Sequence, residues 1–339
     1  MKKTLLFLTI VTLLFSCSSD NNNSSNNNNN IVTTINPSNI TSVSFESGGN
    51  IASNNETFYI GGICWNTSPN PTTSDNKTIN TITNNSFTSV TGLTLNPNTV
   101  YYLRAYVQGS SGTLYGNEIS ITTNAVPQPI LNSNLSYGAV SDIDGNNYPT
   151  IQICSQIWMA KNLNTSKYKN GDIIPQVQDP IQWVNLTTGA WCYYKNESSN
   201  GPVYGKLYNW YAVNDNRGLA PSGWHIATQQ EYISLNNCLG ISLQGCKLRE
   251  IGTLHWGINY GCSTNESGFT AIPAGQRLWN GQFSALASLE NGNISTSAPF
   301  WAGGGGIANL PSSSINDGFQ TSGTNGNLQL GYSVRCIKN

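Results

Sequence analysis

Residues 221–240 read PSGWHIATQQEYISLNNCLG, the stretch that decides the fold of the C-terminal part of the chain. Thr228 and Glu231 have the spacing of a capping box, in which each side chain satisfies a backbone N–H group at the start of a helix. Apolar side chains follow at helical spacing at Tyr232, Leu235 and Leu239. The stretch predicts an amphipathic helix that begins after Thr228 and ends in a left-handed conformation at Gly240.

The sequence around this helix indicates a domain of short strands and long loops. A second helix is predicted over residues 205–213, and much of the remaining sequence is rich in Gly, Asn and Trp. That composition is typical of turns and short strands. Residues 139–339 are therefore predicted to form a loop-rich α+β domain. An all-β domain is predicted before it, so the fold class of the whole chain is mixed.

Several motifs of the C-terminal domain follow one another in a specific order. They are residues 142–148 (DIDGNNY), 156–163 (QIWMAKNL), 204–213 (YGKLYNWYAV), 221–225 (PSGWH), 245–250 (GCKLRE), 264–269 (TNESGF) and 331–336 (GYSVRC). In this order they resemble the Fibrobacter succinogenes major paralogous domain, or FISUMP domain, over residues 139–339. The resemblance implies a C-type-lectin-like α+β fold, similar to that of formylglycine-generating enzymes, and it implies no reaction.

The N-terminus has the features of a lipoprotein signal peptide. Two lysines precede an apolar run over residues 5–15, which is too short to span a bilayer as a helix. Residues 14–17, LFSC, resemble the bacterial lipobox, which implies a signal peptide over residues 1–16 and a lipid anchor on Cys17. The alternative is an ordinary secretory signal cut near Ser16. Membrane attachment through Cys17 predicts a cell-envelope protein, with the outer membrane favoured and the surface or periplasmic face left open.

Residues 17–30 are almost all Ser and Asn and offer no apolar surface to bury, so they are predicted to form a disordered tether. Strand signals and turns alternate over residues 31–123, which predicts a β-sandwich. Within it, residues 95–105 (LNPNTVYYLRA) resemble the segment that leads into strand F of fibronectin type III domains. The resemblance implies that the Tyr101 hydroxyl bonds to nearby backbone. Residues 124–138 contain two prolines and are predicted to form an inter-domain linker.

The charge and the cysteine content of the chain indicate which partners, disulfides and metal sites to expect. Charged residues make up 9% of the chain and the net charge is −1, so no basic surface is expected and nucleic acid is not a predicted partner. An envelope location permits disulfides, and the pair Cys238 and Cys246 is favoured because the two residues flank one turn. Cys64 is predicted to be a buried free thiol. Zinc is not predicted, since the chain has only two histidines and no Cys-x-x-Cys.

Four polar residues are candidates for a ligand site. Asp142 and Asp144 are spaced like the start of a calcium loop, because alternating carboxylates can converge on one cation. The Asp-Gly sequence is also typical of a hairpin turn, which is the favoured interpretation, and calcium is the cofactor that the alternative would imply. Asn265 and Glu266 would suit a calcium or sugar site in a lectin-like fold, although loop capping is favoured for them.

The aromatic residues favour a binding function. Trp279 and Trp301 lie in Gly- and Asn-rich sequence and are predicted to be exposed, where they would stack on sugar rings, whereas Trp210 is predicted to lie in the core. No catalytic constellation is found, and no spacing supports a Cys192–His225 pair, so an enzyme is not predicted. We expect a binding or adhesion lipoprotein whose ligand is a glycan. The alternatives are a structural envelope protein that acts through protein–protein contacts and a thiol-dependent oxidoreductase.

Overall fold

The computed structural model describes most of the chain after residue 30. The described residues are 31–52, 57–92, 95–252, 254–256, 262–284, 288–290, 293–295, 297–311, 317–323 and 326–339. The predicted signal peptide (1–16), the tether (17–30) and Cys17 lie outside them. No helix among the described residues is long and apolar enough to cross a membrane.

The chain divides into two compact units. The first contains the described parts of residues 1–36, 47–89 and 102–119, and the second contains those of residues 37–46, 90–101 and 120–339. The strands of residues 31–123 are β1 (Val32–Ser38), β2 (Glu46–Ile51), β3 (Phe58–Asn66), β4 (Asn76–Lys77), β5 (Ser86–Val90), β6 (Val100–Gly109), β7 (Gly112–Tyr115) and β8 (Ile119–Thr122). One sheet has the order β1–β2–β5, and in another β4, β3, β6 and β7 are neighbours in that order. The prediction of a β-rich N-terminal region is confirmed.

Two glycines let a large aromatic side chain enter the first unit. Phe87 of β5 is buried, and a Cβ atom at Gly61 of β3 would lie only 2.5 Å from its ring. A Cβ at Gly49 of β2 would lie 2.6 Å from the same ring. Gly49 and Gly61 therefore provide the space that the Phe87 ring requires.

The hydrogen bond implied for Tyr101 is present in the second unit. Tyr101 is buried, and its hydroxyl accepts a hydrogen bond of 3.0 Å from the backbone N–H of Asn96. This bond closes the turn that leads into β6. Further along β6, in the part that belongs to the first unit, Leu103, Ala105 and Val107 are also buried.

The rest of the second unit is an α+β arrangement with short elements. Its helices are α1 (Pro180–Val184), α2 (Gly201–Tyr204), α3 (Trp210–Val213), α4 (Gln229–Leu239) and α5 (Gln244–Leu248), with 3₁₀ turns at Tyr194–Asn196 and Ser198–Asn200. Its strands are β9 (Gly138–Ser141), β10 (Asn147–Ile153), β11 (Gln156–Met159), β12 (Trp191–Cys192), β13 (Leu207–Tyr208), β14 (Trp224–Ile226), β15 (Gln276–Arg277), β16 (Phe283–Ser284), β17 (Ser288–Glu290), β18 (Asn293–Ser295), β19 (Ser297–Ala302), β20 (Gly306–Pro311), β21 (Gln320–Gly323), β22 (Ser333–Val334) and β23 (Cys336–Lys338).

Two larger sheets organise this unit. An antiparallel sheet has the order β14–β23–β11–β10–β9, so the last strand of the chain lies between strands from distant parts of the sequence. A second sheet has the order β21–β20–β19–β22, in which β19 and β22 are parallel. Smaller two-stranded ladders join β12 to β13, β15 to β16 and β17 to β18.

Helix α4 confirms the predicted capping box. The Thr228 hydroxyl accepts from the Glu231 N–H at 3.3 Å, and the Glu231 carboxylate accepts from the Thr228 N–H at 2.7 Å. Tyr232 and Leu235 are buried, so the predicted apolar face is correct. Gly240 has a φ of 76° but a ψ of 177°, which is outside the left-handed helical region. The helix therefore ends by turning directly into extended chain at Gly240.

The predicted helix over residues 205–213 is wrong in its first half. Leu207 and Tyr208 form β13, which pairs with Trp191 and Cys192 of β12. Only the short α3 is helical, and it begins after Asn209, whose side chain accepts from the Ala212 N–H. A pairing with residues far away in sequence therefore overrides the local helical pattern.

Aromatic rings fill the main core of the second unit. The ring centroids of Tyr232 and Phe319 lie 4.7 Å apart, and those of Trp158 and Tyr232 lie 5.2 Å apart. Further rings in the same cluster belong to Phe269 and Phe300. This dense ring packing gives a small, loop-rich domain a large area of buried apolar surface.

A buried arginine braces this core. Arg335 has no exposed surface, and its guanidinium donates to the Asn162 Oδ1 and to the backbone carbonyls of Met159, Phe269 and Thr270 at 2.6–2.9 Å. Its Cζ also lies 4.6 Å from the centre of the Phe269 ring. Since β22, β23, β11 and the 269–270 segment all meet at this one side chain, Arg335 fixes their mutual positions.

The segment predicted as a linker, residues 124–138, is part of the second unit and packs against its main core. Three of its apolar side chains contact the main core, namely Leu131, Leu135 and Tyr137. The Ile130 N–H donates to the Glu250 carboxylate at 2.5 Å, and that carboxylate also bonds to the His255 ring at 2.5 Å. These contacts order the segment along the domain that follows it.

The disulfides differ from the favoured pair Cys238–Cys246. The bonds are Cys154–Cys238 and Cys246–Cys262, with Cα atoms 6.5 Å and 5.2 Å apart. The short separation of Cys238 and Cys246 in sequence does not decide the pairing. Cys246 lies inside α5 and faces the segment that carries Cys262. The free thiols of the described residues are those of Cys64, Cys192 and Cys336, and all three are buried. The prediction of a buried free thiol at Cys64 is confirmed.

Candidate functional site

The prediction that Trp301 is exposed is wrong. Trp301 has no exposed surface, and its indole N–H donates to the Tyr208 carbonyl at 2.6 Å. It lies in β19, in the interior of a four-stranded sheet. The glycine run at 303–306 is the tight turn from β19 to β20, and its Gly304 and Gly305 have φ values of 86° and 93°. The glycines therefore mark a turn, and the neighbouring Trp belongs to a core strand.

Trp210, which is predicted to lie in the core, instead borders open space. Its ring centroid is 5.3 Å from that of Trp301, but Trp210 is only half-buried and faces a cleft of about 410 Å³. We call this space the Trp210 cleft, and its lining residues are Thr187, Thr188, Gly189, Trp210, Tyr211, Asn214, Asp215, Asn216, Arg217 and Leu328. The buried Trp301 supports the exposed ring from behind.

Asn209 builds the Trp210 cleft by joining its two sides. Its side-chain NH₂ donates to the Thr188 carbonyl at 2.8 Å, and its Oδ1 accepts from the N–H groups of Ala190 and Ala212 at 2.9 Å and 3.0 Å. One buried amide thus caps α3, which carries Trp210, and fixes the facing 187–190 loop. This pre-organised arrangement costs a bound ligand little ordering entropy.

Gly189 is required at the floor of the cleft. A Cβ atom at this position would lie 1.9 Å from the Tyr168 hydroxyl oxygen, which is closer than any real contact. Tyr168 is buried and its ring supports the guanidinium of Arg217, whose Cζ lies 4.0 Å from the ring centre.

Arg217 is held by two carboxylates at the edge of the cleft. It donates to both oxygens of Asp215 at 2.8 Å and to the Asp172 carboxylate at 3.0 Å. The hydrogen bonds from Arg217 lower the pKa of Asp215 to about 2, and they also lower the pKa of Asp172. Asp215 is therefore ionised at any physiological pH, so it accepts hydrogen bonds and is not available as a general acid.

The chemistry of the Trp210 cleft suits a polar ligand with flat apolar faces. Trp210 and Tyr211 supply half-exposed aromatic rings, while Asn214 and Asn216 are exposed and supply amide donors and acceptors. The charge of Arg217 is already paired. The cleft can therefore stack on a ring and bond to hydroxyl groups, and it is less suited to an anionic group.

Trp279 and Glu266 are exposed, whereas Asn265 is not. Trp279 is 58% exposed in the turn between β15 and β16, and it does not line the Trp210 cleft. Asn265 is fully buried and its amide bonds to the Thr270 N–H and hydroxyl at 2.9 Å and 2.8 Å. The Asn265 amide therefore closes the 265–270 turn, which agrees with loop capping, the interpretation favoured for it from the sequence.

Asp142 bonds within the turn that joins β9 to β10, and Asp144 bonds to the segment of residues 165–167. Asp142 Oδ1 accepts from the N–H groups of Asp144 and Asn146 at 2.9 Å and 3.0 Å, and its Oδ2 accepts from the Tyr148 hydroxyl at 2.5 Å. Asp144 accepts from the N–H and hydroxyl of Ser166, both at 2.6 Å. The described residues contain no group of three or more His, Cys, Asp or Glu side chains that could hold a metal ion.

The buried thiols are poorly suited to chemistry. Cys192 is packed with Trp183, Tyr194 and Leu207, and burial raises the pKa of its thiol to about 12. His225 bonds instead to Glu231 and Asn339, both at 2.8 Å. The structure therefore gives Cys192 no histidine that would activate it.

The position of Trp210 at the wall of a cleft is not predicted from the composition of its surroundings. Trp210 and Trp301 both lie next to turn-forming residues, and composition alone does not distinguish a strand flank from a cleft wall. The signal that was available is Asn209, because an N-cap residue directly before Trp-Tyr places those two rings on the exposed first turn of a helix.

Comparisons with known proteins give one match. Residues 151–338 match the family model described as the Fibrobacter succinogenes major domain, which covers more than half of the chain. The search of curated proteins and the search of solved structures gave no match. Every residue that lines the Trp210 cleft lies inside the matched range.

Proposed function

The chain belongs to the Fibrobacter succinogenes major domain family, and from this premise we propose that it is a cell-envelope lipoprotein that binds a neutral glycan in the Trp210 cleft. The observation that carries the proposal is the pairing of half-exposed Trp210 and Tyr211 rings with exposed amides of Asn214 and Asn216 in one cleft. Aromatic faces stack on sugar rings, and amides bond to sugar hydroxyl groups. A cleft of about 410 Å³ has the size for a short oligosaccharide segment.

The other parts of the chain fit a display role. A lipid on Cys17 would hold the protein at a membrane, and the Ser- and Asn-rich residues 18–30 would act as the tether. The β-rich region resembles a fibronectin type III sandwich, which the bond from the Asn96 N–H to the Tyr101 hydroxyl supports. A C-type-lectin-like fold for residues 139–339 is supported by the short strands around α4 and by the terminal strand β23 inside the sheet.

A glycan array with the purified full chain tests the proposal. We expect retention on neutral glycans and weaker retention on acidic ones, because Arg217 is already paired with Asp215 and Asp172. Retention should not change when calcium is replaced by a chelator.

Two variants locate the site. Asn214 and Asn216 are exposed, so Asn214→Ala with Asn216→Ala should abolish retention without loss of folding. The control Trp279→Ala removes an exposed ring outside the cleft and should retain binding. Loss of retention in the Trp279 variant alone would move the site to the β15–β16 turn, and no retention by the wild type on any glycan would refute the glycan proposal.

A second candidate is a protein-binding role, which a different surface favours. Ile181, Val184 and Trp279 are 73%, 37% and 58% exposed. The turn that carries Trp279 lies against the start of α1, since a Cβ at Gly281 would be 2.5 Å from the Pro180 carbonyl oxygen. Crosslinking in intact cells separates the two candidates, because a stable protein partner that is lost in Ile181→Ser with Trp279→Ser would favour protein binding.

A further inference from the structure

The side-chain amine of Lys206 is buried beside the side-chain amide of Asn164. It is 5% exposed, and its Nζ donates to the backbone carbonyl and to the side-chain Oδ1 of Asn164 at 2.5 Å and 3.2 Å. Its Nζ also lies 4.4 Å from the centre of the Trp191 ring and 5.3 Å from that of Tyr193. The side chain is thus held on several sides, with its nitrogen beside the carboxamide of Asn164.

We propose that Lys206 and Asn164 react with each other to form an intramolecular isopeptide cross-link. The two residues are 42 positions apart in sequence, so the bond would close a large covalent loop inside the domain. It would join the segment after β11 to the segment before β13, independently of the disulfides Cys154–Cys238 and Cys246–Cys262.

The reaction is a transamidation that balances without an oxidant or cofactor. The neutral Lys206 amine attacks the Asn164 Cγ, and a new C–N bond forms. A proton passes from Nζ to Nδ2 through solvent in the adjoining cleft, the Cγ–Nδ2 bond breaks, and ammonia leaves. One amine and one primary amide therefore become one secondary amide and one ammonia molecule.

The surroundings of Lys206 favour each stage of this reaction. Burial lowers the pKa of Lys206 to about 8, so a useful fraction of the amine is neutral near physiological pH. The negative charges of Asp144 and Asp142 act on the same nitrogen and would stabilise the positive charge that develops during attack. The fixed contact with Asn164 supplies the high effective concentration of an intramolecular reaction.

Ammonia has a route out of the site. Asn164 lines a polar cleft of about 200 Å³ together with Asn146, Asn162 and Gly205. The leaving nitrogen would enter this cleft, whereas the rings of Trp191 and Tyr193 cover the other side of Lys206. Departure of the ammonia makes the reaction effectively irreversible.

Peptide mapping of the purified full chain tests the proposal directly. After unfolding, reduction and trypsin digestion, a cross-linked chain gives peptide 162–167 joined to peptide 196–217, because trypsin cannot cut after a modified Lys206. The joined species should be lighter than the sum of its two parts by one ammonia molecule. Free peptides 162–167 and 196–206 with an unmodified Asn164 would overturn the proposal.

Two variants complete the test. Lys206→Arg keeps a positive side chain at this position but should give only free 162–167, whereas the exposed control Lys169→Arg should retain the joined species. A joined species that persists in Lys206→Arg would assign the bond to another residue and overturn the proposal. If Lys206→Arg fails to fold, the wild-type map alone decides the question.

Discussion

The two disulfides should stabilise the second unit to different extents. Cys154–Cys238 closes a loop of 84 residues and Cys246–Cys262 closes one of 16. In the chain-entropy model the longer loop contributes about 4.5 kcal/mol to the free energy of unfolding and the shorter one about 3 kcal/mol. Replacing both members of the first pair by Ala should therefore cost about 1.5 kcal/mol more than replacing both members of the second.

Urea unfolding followed by tryptophan fluorescence measures this difference. All tryptophans except Trp65 lie beyond residue 139, so the signal reports mainly on the C-terminal domain. The same variants under a reducing agent provide the control, since every form then lacks disulfides and remaining differences reflect lost packing.

One result would refute the reasoning. The differences measured under the reducing agent are first subtracted. If the variant without Cys246 and Cys262 then loses more stability than the variant without Cys154 and Cys238, loop length does not set how much each disulfide contributes to the free energy of unfolding. Peptide mapping that found Cys238 bonded to Cys246 would refute the pairing itself.

Three other perturbations test separate parts of the structure. Arg335→Met leaves the carbonyls of Met159, Phe269 and Thr270 without their donor. The free energy of unfolding measured by urea titration should therefore fall by at least about 3 kcal/mol, and a loss near zero would contradict the bracing role of Arg335. Thr228→Ala should cost about 1 kcal/mol by the same titration, because α4 loses its N-cap, while exposed Ser234→Ala serves as the control that leaves the cap intact. Cys64 and Cys192 should resist alkylation at pH 8 in the folded protein, because burial raises the pKa values of their thiols to about 11 and about 12. Rapid labelling of either thiol in the folded protein would contradict this prediction.

The features that sequence predicted well are those encoded by neighbouring residues. The capping box of α4 needs only Thr228 and Glu231, three positions apart, and its bonds form as expected. The Tyr101 bond to the Asn96 N–H is similarly local.

The features that sequence missed depend on distant contacts. The helical pattern over residues 205–213 gives way to β13 because Trp191 and Cys192 offer a pairing partner that no local window contains. Cys246 bonds to Cys262 instead of the nearer Cys238 for the same kind of reason.

The candidate site shows the same limit. Trp301 and Trp210 occupy similar sequence surroundings, yet a sheet buries the first and a cleft exposes the second. The full burial of Arg335 is not predicted from the sequence, because its hydrogen-bond partners come from two distant segments, residues 159–162 and 269–270.

Nuclear magnetic resonance of the tryptophan indole N–H groups tests the central claim most directly. A neutral glycan retained on the array would be titrated into the labelled protein while the signals of Trp210 and Trp279 are followed. We predict a shift of the Trp210 signal with little change at Trp279, because only Trp210 lines the cleft. A shift confined to Trp279, or no shift at Trp210 at saturating glycan, would contradict the account.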